Sequence, residues 1–411
     1  MGLDLVLRQA RIAGRGGVLF DIGIAAGKIA DIAPTIATDA REEHAGGRLV
    51  TPGFIETHIH LDKSCILDRC HSQHGTLQEA IAQVAAAKRD FTEADVYERG
   101  RRTLEKAIVQ GTTRMRTHVE VDPRIGLTSF EAIRRLKRDY AWAIDLDICV
   151  FPQEGLLNDP GTEDLLIEAC EKGADLIGGC PYTDSDPHGQ IARIFAIAGR
   201  FDIDIDFHLD FDLDASHMNL DEVCRQTDAH RYGGRVAVGH VTKLSAVPPA
   251  QLSAIAARLA DVGVAVTVLP ATDLFLMGRG HDHNVPRGVA PAHKLAAQGV
   301  TCSLSTNNVL NPFTPFGDCS LVRIANLYAN IAQTGAAHDL AACFDLITTQ
   351  PARLMNLKDY GIALGNAADL VVLDCDEPAS AVAEVSPPLL GIKRGRLSFS
   401  RARPVLHRPG G

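Results

Sequence analysis

The chain has 411 residues, 46% hydrophobic and 22% charged, an ordinary globular composition with enough apolar material for a large core. Its net charge of -10 argues against nucleic acid or an anionic membrane as partner, and no apolar run is long enough to cross a bilayer. Ten cysteines without a C-x-x-C pair exclude a disulfide framework and read as reduced, buried thiols. No secretory segment is read at the start, so a cytoplasmic protein is expected.

Taken in chain order, residues 3–10 and 18–25 are short apolar or alternating runs, separated by Gly- and Asp-rich segments. They read as strands. The pattern then changes to short β-rich runs alternating with stretches of helical period. The β runs are expected at 53–60, 112–121, 144–153, 174–179, 203–210, 235–240, 262–269 and 300–306. Helices are expected between them, among others at 77–89, 96–109, 163–172 and 252–261. Strands return at 370–374 and 389–399. Such alternation is the pattern of parallel βαβ units, and eight of them fit a closed (β/α)8 barrel of the TIM type. An open doubly wound sheet would show a Gly-rich phosphate loop after its first strand, and none follows Ile55. The expected fold class is therefore α/β. A barrel spans 53–359, and a small composite β-sandwich domain is built from 1–52 and 360–411.

The histidines sit where such a barrel does chemistry. His58 and His60 end the first barrel strand, and residues i and i+2 of a strand face the same way. His208 lies near the end of the fifth strand and His240 ends the sixth. The C-terminal strand ends form the active mouth of this fold, so four imidazoles converge there. His58, His60 and His208 make the three-ligand, open-position set of a catalytic divalent site. Any one of them alone would read as a satisfied core histidine; together, at strand ends, they read as a metal site. Three imidazoles plus a carbonyl or water suit one zinc or iron ion alike. In the run from Asp206 to Asp212, strict alternation puts Asp206, His208, Asp210 and Asp212 on one face. Asp210 would then stand beside the activated water as acid–base group, with Asp212 and Asp318 as the alternatives.

The segment Thr51-Pro-Gly-Phe-Ile-Glu-Thr-His-Ile-His-Leu-Asp-Lys-Ser resembles the first-strand motif of the amidohydrolase superfamily, in its cytosine deaminase-like branch. Isopropylammelide amidohydrolases belong to the same branch. Further matches follow in the family's order: Arg116-Thr-His-Val-Glu-Val-Asp, Phe151-Pro-Gln-Glu-Gly, Gly173-Ala-Asp-Leu-Ile-Gly-Gly, Gly239-His, Asn311-Pro-Phe-Thr-Pro-Phe-Gly, and Asp359-Tyr-Gly-Ile-Ala-Leu-Gly-Asn-Ala-Ala-Asp-Leu-Val-Val-Leu. The resemblance implies a metal-dependent hydrolase that attacks a carbon–nitrogen bond of a small heterocycle through a metal-activated hydroxide. It implies His240 as the group that stabilises the attacking hydroxide and the oxyanion, and Gln153 as a hydrogen-bonding partner of the ring. Asn308 and Phe313, after the eighth strand, are read with Gln153 as substrate-binding residues.

Two positions depart from the family. Asn307 stands where the family places an Asp that binds metal and shuttles a proton; its amide oxygen can ligate but takes no proton at neutral pH. Phe211 stands where cytosine deaminases carry a Glu. Three readings follow: a deaminase or N-dealkylating aminohydrolase, a hydrolase that opens a cyclic amide, or a metal-poor relative that only binds a ligand. Lys63 is read either as a rim charge or as a substrate contact. His118, with Glu120 nearby, is read as pairing behind the ligands, not as a ligand itself, and His281 and His283 as members of a loop that is exposed or close to the substrate and holds no metal. The sequence is compatible with self-association.

Overall fold

The computed structural model describes residues 2–408, so residues 1 and 409–411 of the expected terminal domain lie outside the described residues. Eight parallel strands follow one another in chain order as neighbours in a single sheet. They are β6 (Phe54–Ile59), β7 (Thr112–Glu120), β8 (Asp145–Phe151), β9 (Leu176–Ile177), β10 (Asp204–Leu209), β11 (Val236–His240), β12 (Val264–Val268) and β13 (Cys302–Leu304), numbered after the five strands that precede them. Every residue of β6, β11 and β12 is buried, as expected of strands covered on both faces by helices. Helices lie between successive strands, among them Glu93–Val109, Thr128–Asp139, Pro187–Phe201, Leu220–His230 and Pro249–Val262. Several open on side-chain caps. Thr92 accepts from the Asp95 amide and Asp186 from the Gly189 amide, each satisfying a donor that the helix start leaves free.

The first and last strands meet just beyond the end of β13. The Asn307 amide donates to the His58 carbonyl and the His60 amide to the Asn307 carbonyl, both at 2.9 Å. The Thr57 amide donates to Ser305 Oγ at 3.0 Å. These bonds close the barrel, and they also fix Asn307 against the two histidines of the first strand.

The chain ends form a second, mixed sheet: β1 (Leu5–Ile12), β2 (Leu19–Ala25), β3 (Lys28–Ala33), β4 (Arg41–His44), β5 (Leu49–Pro52), β14 (Leu370–Leu373), β15 (Pro388–Lys393) and β16 (Arg396–Ser400). Its order is β16-β15-β14-β5-β1-β2-β3, with β4 paired to β1. It has its own apolar core, including Leu7, Ile22, Ile24, Leu370 and Ile392. Lys393 ties it to the barrel: its buried ammonium donates to Asp369 at 2.6 Å, Asp145 at 2.7 Å and the Thr113 carbonyl at 3.0 Å. Gly53 stands between β5 of this sheet and β6 of the barrel. A Cβ there would stand 2.2 Å from the Thr113 side chain, so the chain passes only because the residue has none.

Candidate active site

At the C-terminal end of the barrel, His58 Nε2 lies 3.0 Å from His208 Nε2, and His60 Nε2 lies 3.1 Å from it. All three rings are buried. Burial first, and then the neighbouring cationic and imidazole groups, push their pKa values well below the ordinary 6.5. The rings are therefore neutral at physiological pH, with lone pairs turned toward one point. Zinc–imidazole bonds of roughly 2.0–2.1 Å at tetrahedral angles would hold ligand nitrogens about 3.3 Å apart, close to what is seen. His58, His208 and His240 each offer a ring nitrogen within 4.8 Å of the others, so the fourth imidazole closes the cluster. Asn307 Oδ1 is buried without a hydrogen-bond partner, a costly state for an amide oxygen that a cation would relieve. The donor set fits a divalent metal ion.

Backbone strain gathers at the same place. Asp210, His240, Val241 and Asn307 adopt φ values of 49°, 70°, 42° and 64°. Such angles are uncommon for any residue with a side chain and a real outlier for the β-branched Val241. They turn the chain sharply at the strand ends. One consequence corrects the sequence reading of Asp210. β10 ends at Leu209, and the left-handed turn at Asp210 breaks the alternation that placed it with His208. Its carboxylate accepts the amides of Asn219 at 2.9 Å and Leu220 at 3.1 Å, at the start of the helix Leu220–His230, and it touches none of the imidazoles. Asp212 turns to Lys243 at 3.2 Å and Asp318 to Arg323 at 2.8 Å, so neither alternative reaches the site.

The carboxylate that does reach it is Asp273, which the sequence reading missed. Its Oδ1 accepts from His240 Nδ1 at 2.6 Å, and both residues are buried. With Nδ1 donating, Nε2 carries the lone pair and faces the Asn307 amide, 3.5 Å away. Phe211 stacks on the His240 ring at 3.8 Å between centroids, so the residue that replaces an expected Glu holds this imidazole in place. Asp273 lies in the short helix Pro270–Leu276, directly after β12; an acid just past a barrel strand was the available signal.

His118 stacks on His58, with centroids 3.7 Å apart, and its Nε2 lies 3.6 Å from Asp206 Oδ1. Its partner is thus Asp206 and not Glu120. Burial alone would raise the Asp206 carboxyl, but His118 and Arg116, the latter at 2.7 Å, outweigh it and hold it below the usual range. A buried, neutralised layer therefore underlies the metal ligands.

Facing the imidazoles are Lys63, Gln153, Asn308 and Phe313, with Tyr182 and Thr272 completing the wall. Lys63 Nζ donates to Glu120 at 2.6 Å and to Gln153 Oε1 at 3.0 Å and stands 4.5 Å from the centre of the Phe313 ring. Of the two sequence readings of Lys63, the structure places it at the pocket and not on the rim. Glu120 is shared with Lys88, whose buried ammonium also reaches Asp122 at 2.5 Å and Glu154. These three carboxylates are close enough to hold a cation, and the Lys88 ammonium is that cation. The pocket's free space, about 10 Å³, suits about one water molecule, so a ring can enter only with side-chain movement. His281 and His283 are exposed, as expected. All ten cysteines are free, nine of them buried. Among the described residues no helix is long and apolar enough to cross a membrane.

The amidohydrolase family's sequence profile matches residues 41–144 and 129–399, and the chain belongs to that family. It is a hydrolase of carbon–nitrogen bonds other than peptide bonds, and its histidine cluster is of the kind that binds a divalent metal. The chain is 28% identical over 407 residues to N-isopropylammelide isopropyl amidohydrolase of Pseudomonas sp. (strain ADP), covering 96% of each. It is 28% identical over 384 residues to pterin deaminase of Rhizobium rhizogenes, covering 92% of this chain and 87% of that one. Among solved structures, 5-methylcytosine deaminase from Klebsiella pneumoniae liganded with 5-fluorocytosine superposes with a TM-score of 0.93 at 28% identity, covering 98% of this chain and 99% of that one.

Proposed function

We propose that this chain removes an exocyclic amine, as ammonia or an alkylamine, from a small nitrogen heterocycle, with zinc or iron held by His58, His60, His208 and the Asn307 amide oxygen. The observation that carries the reading is the clustering of three imidazole nitrogens, with His58 Nε2 and His60 Nε2 lying 3.0 and 3.1 Å from His208 Nε2, opposite a wall of hydrogen-bonding side chains. The relatives named above, which act on an ammelide, a pterin and a cytosine, support the ring class. A divalent ion in such a site lowers the pKa of water from 15.7 to about 7 and so supplies a nucleophile at neutral pH.

The chain's own residues do the rest. His240 takes a proton from the attacking water at Nε2, since Asp273 fixes Nδ1 as the donor. The resulting imidazolium faces the carboxylate of Asp273, which stabilises it. His240 then returns the proton to the departing amine. Lys63 and the Gln153 amide bind the polar edge of the ring, and Asn308 contacts the leaving group. Phe313 covers one ring face. With this assignment the chain needs neither the Asp that Asn307 replaces nor the Glu that Phe211 replaces, because the His240–Asp273 pair carries the proton. Residues 53–359 form the catalytic unit, and, among the described residues, 2–52 with 360–408 form a terminal unit that seats the first strand. Amine release from a panel of aminopyrimidines, aminotriazines and pterins tests the reading. Release of ammonia or alkylamine in step with ring hydroxylation supports it. Ring opening without amine release would refute it.

A further inference from the structure

Beside the catalytic pocket lies a second, larger cavity of about 650 Å³. Its walls are mostly apolar: Leu274, Phe275, Val285, Phe316, Ile324 and Leu327. The two cations that border it are engaged, Arg323 with Asp318 at 2.8 Å and Arg279 over the Phe275 ring at 4.5 Å. Three rim residues are unusually exposed for their type: Phe316 at 56%, Val285 at 53% and Leu274 at 39%. A contiguous apolar surface of this kind is costly in water and marks a place where something binds.

The cavity and the catalytic pocket share a thin partition. Asn308 lines both. Thr272, on the wall of the catalytic pocket, and Thr314, on the wall of the cavity, meet hydroxyl to hydroxyl at 2.6 Å. Thr306, at the inner wall, keeps a buried hydroxyl with no partner. The partition is thus made of four small or medium polar side chains, Thr272, Thr306, Asn308 and Thr314, and the Thr306 hydroxyl there lacks a bond. The catalytic pocket, filled to about 10 Å³, cannot itself take anything attached to a ring, whereas the cavity lies within the range of ordinary ligand sites.

We propose that this cavity is a subsite for an apolar alkyl or aryl group carried on the exocyclic nitrogen of the heterocycle, which passes between Asn308 and the Thr272–Thr314 pair. The inference rests on the heterocycle reading above and names the substrate class within it: an N-substituted aminoheterocycle with a substituent of about five or more carbons. The carbon–nitrogen bond to the exocyclic amine breaks and a carbon–oxygen bond to water forms. One proton of that water goes to the departing nitrogen and the other stays with the hydroxylated ring or its oxo tautomer; the alkyl- or arylamine is the second product, left in the cavity. No oxidant or further reactant is needed.

The test uses the full-length, metal-loaded enzyme with ammelide and N-benzylammelide as probes, and benzylamine alone as a ring-free probe followed by saturation-transfer NMR. The phenyl group's burial predicts kcat/KM at least about tenfold higher for N-benzylammelide than for ammelide. Leu327→Trp, which fills the cavity from the far wall, lowers that ratio at least tenfold and abolishes the benzylamine signal. Phe316→Ala, an exposed rim change, lowers the ratio severalfold and covers the case in which Leu327→Trp does not fold. A ratio of one or less, or a ratio untouched by both variants, overturns the subsite while leaving the heterocycle reading in place. So does a dimer that Phe316→Ala dissociates without changing the ratio, since a second copy would then be what covers the rim. If neither ring is hydrolysed, the ammelide-type reading fails and the benzylamine signal alone decides the cavity: present in the wild type and lost in Leu327→Trp supports it, and absent overturns it.

Discussion

Replacing Asp273 by Asn isolates the proton-transfer assignment. The two side chains have the same shape, so the site's packing is kept. The carboxylate lies 2.6 Å from Nδ1 of the His240 imidazole, which in the proposed mechanism is neutral until it takes the proton. When His240 takes a proton, a unit positive charge forms next to the carboxylate. At a charge separation of about 4 Å and an effective dielectric near 20, that attraction is worth about 4 kcal/mol. This corresponds to about a thousandfold in rate. The amide of Asn also offers an NH₂ that can donate to Nδ1, which would put the ring's proton on Nε2, the wrong tautomer for a base. The expected result is a kcat lower by about 10²–10⁴ with KM changed less than about threefold. Metal content should stay at the wild-type level, since Asp273 touches none of the three metal-site histidines. The assay is single-substrate kinetics on whichever aminoheterocycle the panel identifies, alongside metal analysis of the same sample. A kcat within threefold of wild type would refute Asp273 as the positioning residue, and with it the claim that the His240–Asp273 pair replaces the missing acids.

Other expectations follow from the same geometry. Asp210→Ala should lower stability by about 1–2 kcal/mol, because two amides at a helix start lose their acceptor. Its kcat should stay within about threefold of wild type; a collapse of activity in folded protein would restore Asp210 as the base. Lys88→Met should cost about 3–5 kcal/mol by leaving Asp122 and Glu154 without their ammonium and Glu120 with Lys63 alone, read as a drop in urea midpoint. Burial would raise Glu120 and Asp122, but Lys63 and Lys88 for the first and Lys88 for the second hold both below their ordinary 4.5 and 3.8. Their contribution in the wild type is therefore complete above those values and lost as pH falls through the lower folded ones. In Lys88→Met that lowering partner is gone and the folded pKa values rise above their wild-type level, so the deficit should grow from pH 5 to pH 8. An equal deficit at both pH values would contradict the charge network.

The barrel was legible because its signals are local. Short buried β runs alternate with helical periods, and His58, His60, His208 and His240 fall at run ends. The short span of β9, Leu176–Ile177, and of β13, Cys302–Leu304, shows where such reading loses precision: barrel strands end where backbone pairing ends, not where apolar residues do. Asp210 was misplaced for a related reason. Alternation holds only while the backbone stays extended, and a φ of 49° is invisible in a residue's identity. Asp273 and the Lys63–Glu120–Lys88 chain were not legible because their partners are far apart in sequence, with a separation of 33 positions from His240 to Asp273 and of 57 from Lys63 to Glu120. Such pairings are set by which loops the closed barrel brings to one mouth.

The metal site is the claim on which the rest stands. Plasma mass spectrometry of protein purified without chelator, run beside His208→Ala, tests it most directly. About one zinc or iron per chain in the wild type, the load of a single catalytic site, and almost none in the variant is the predicted result. A wild-type chain that stays empty after reconstitution, or a variant that keeps its metal, would contradict the account.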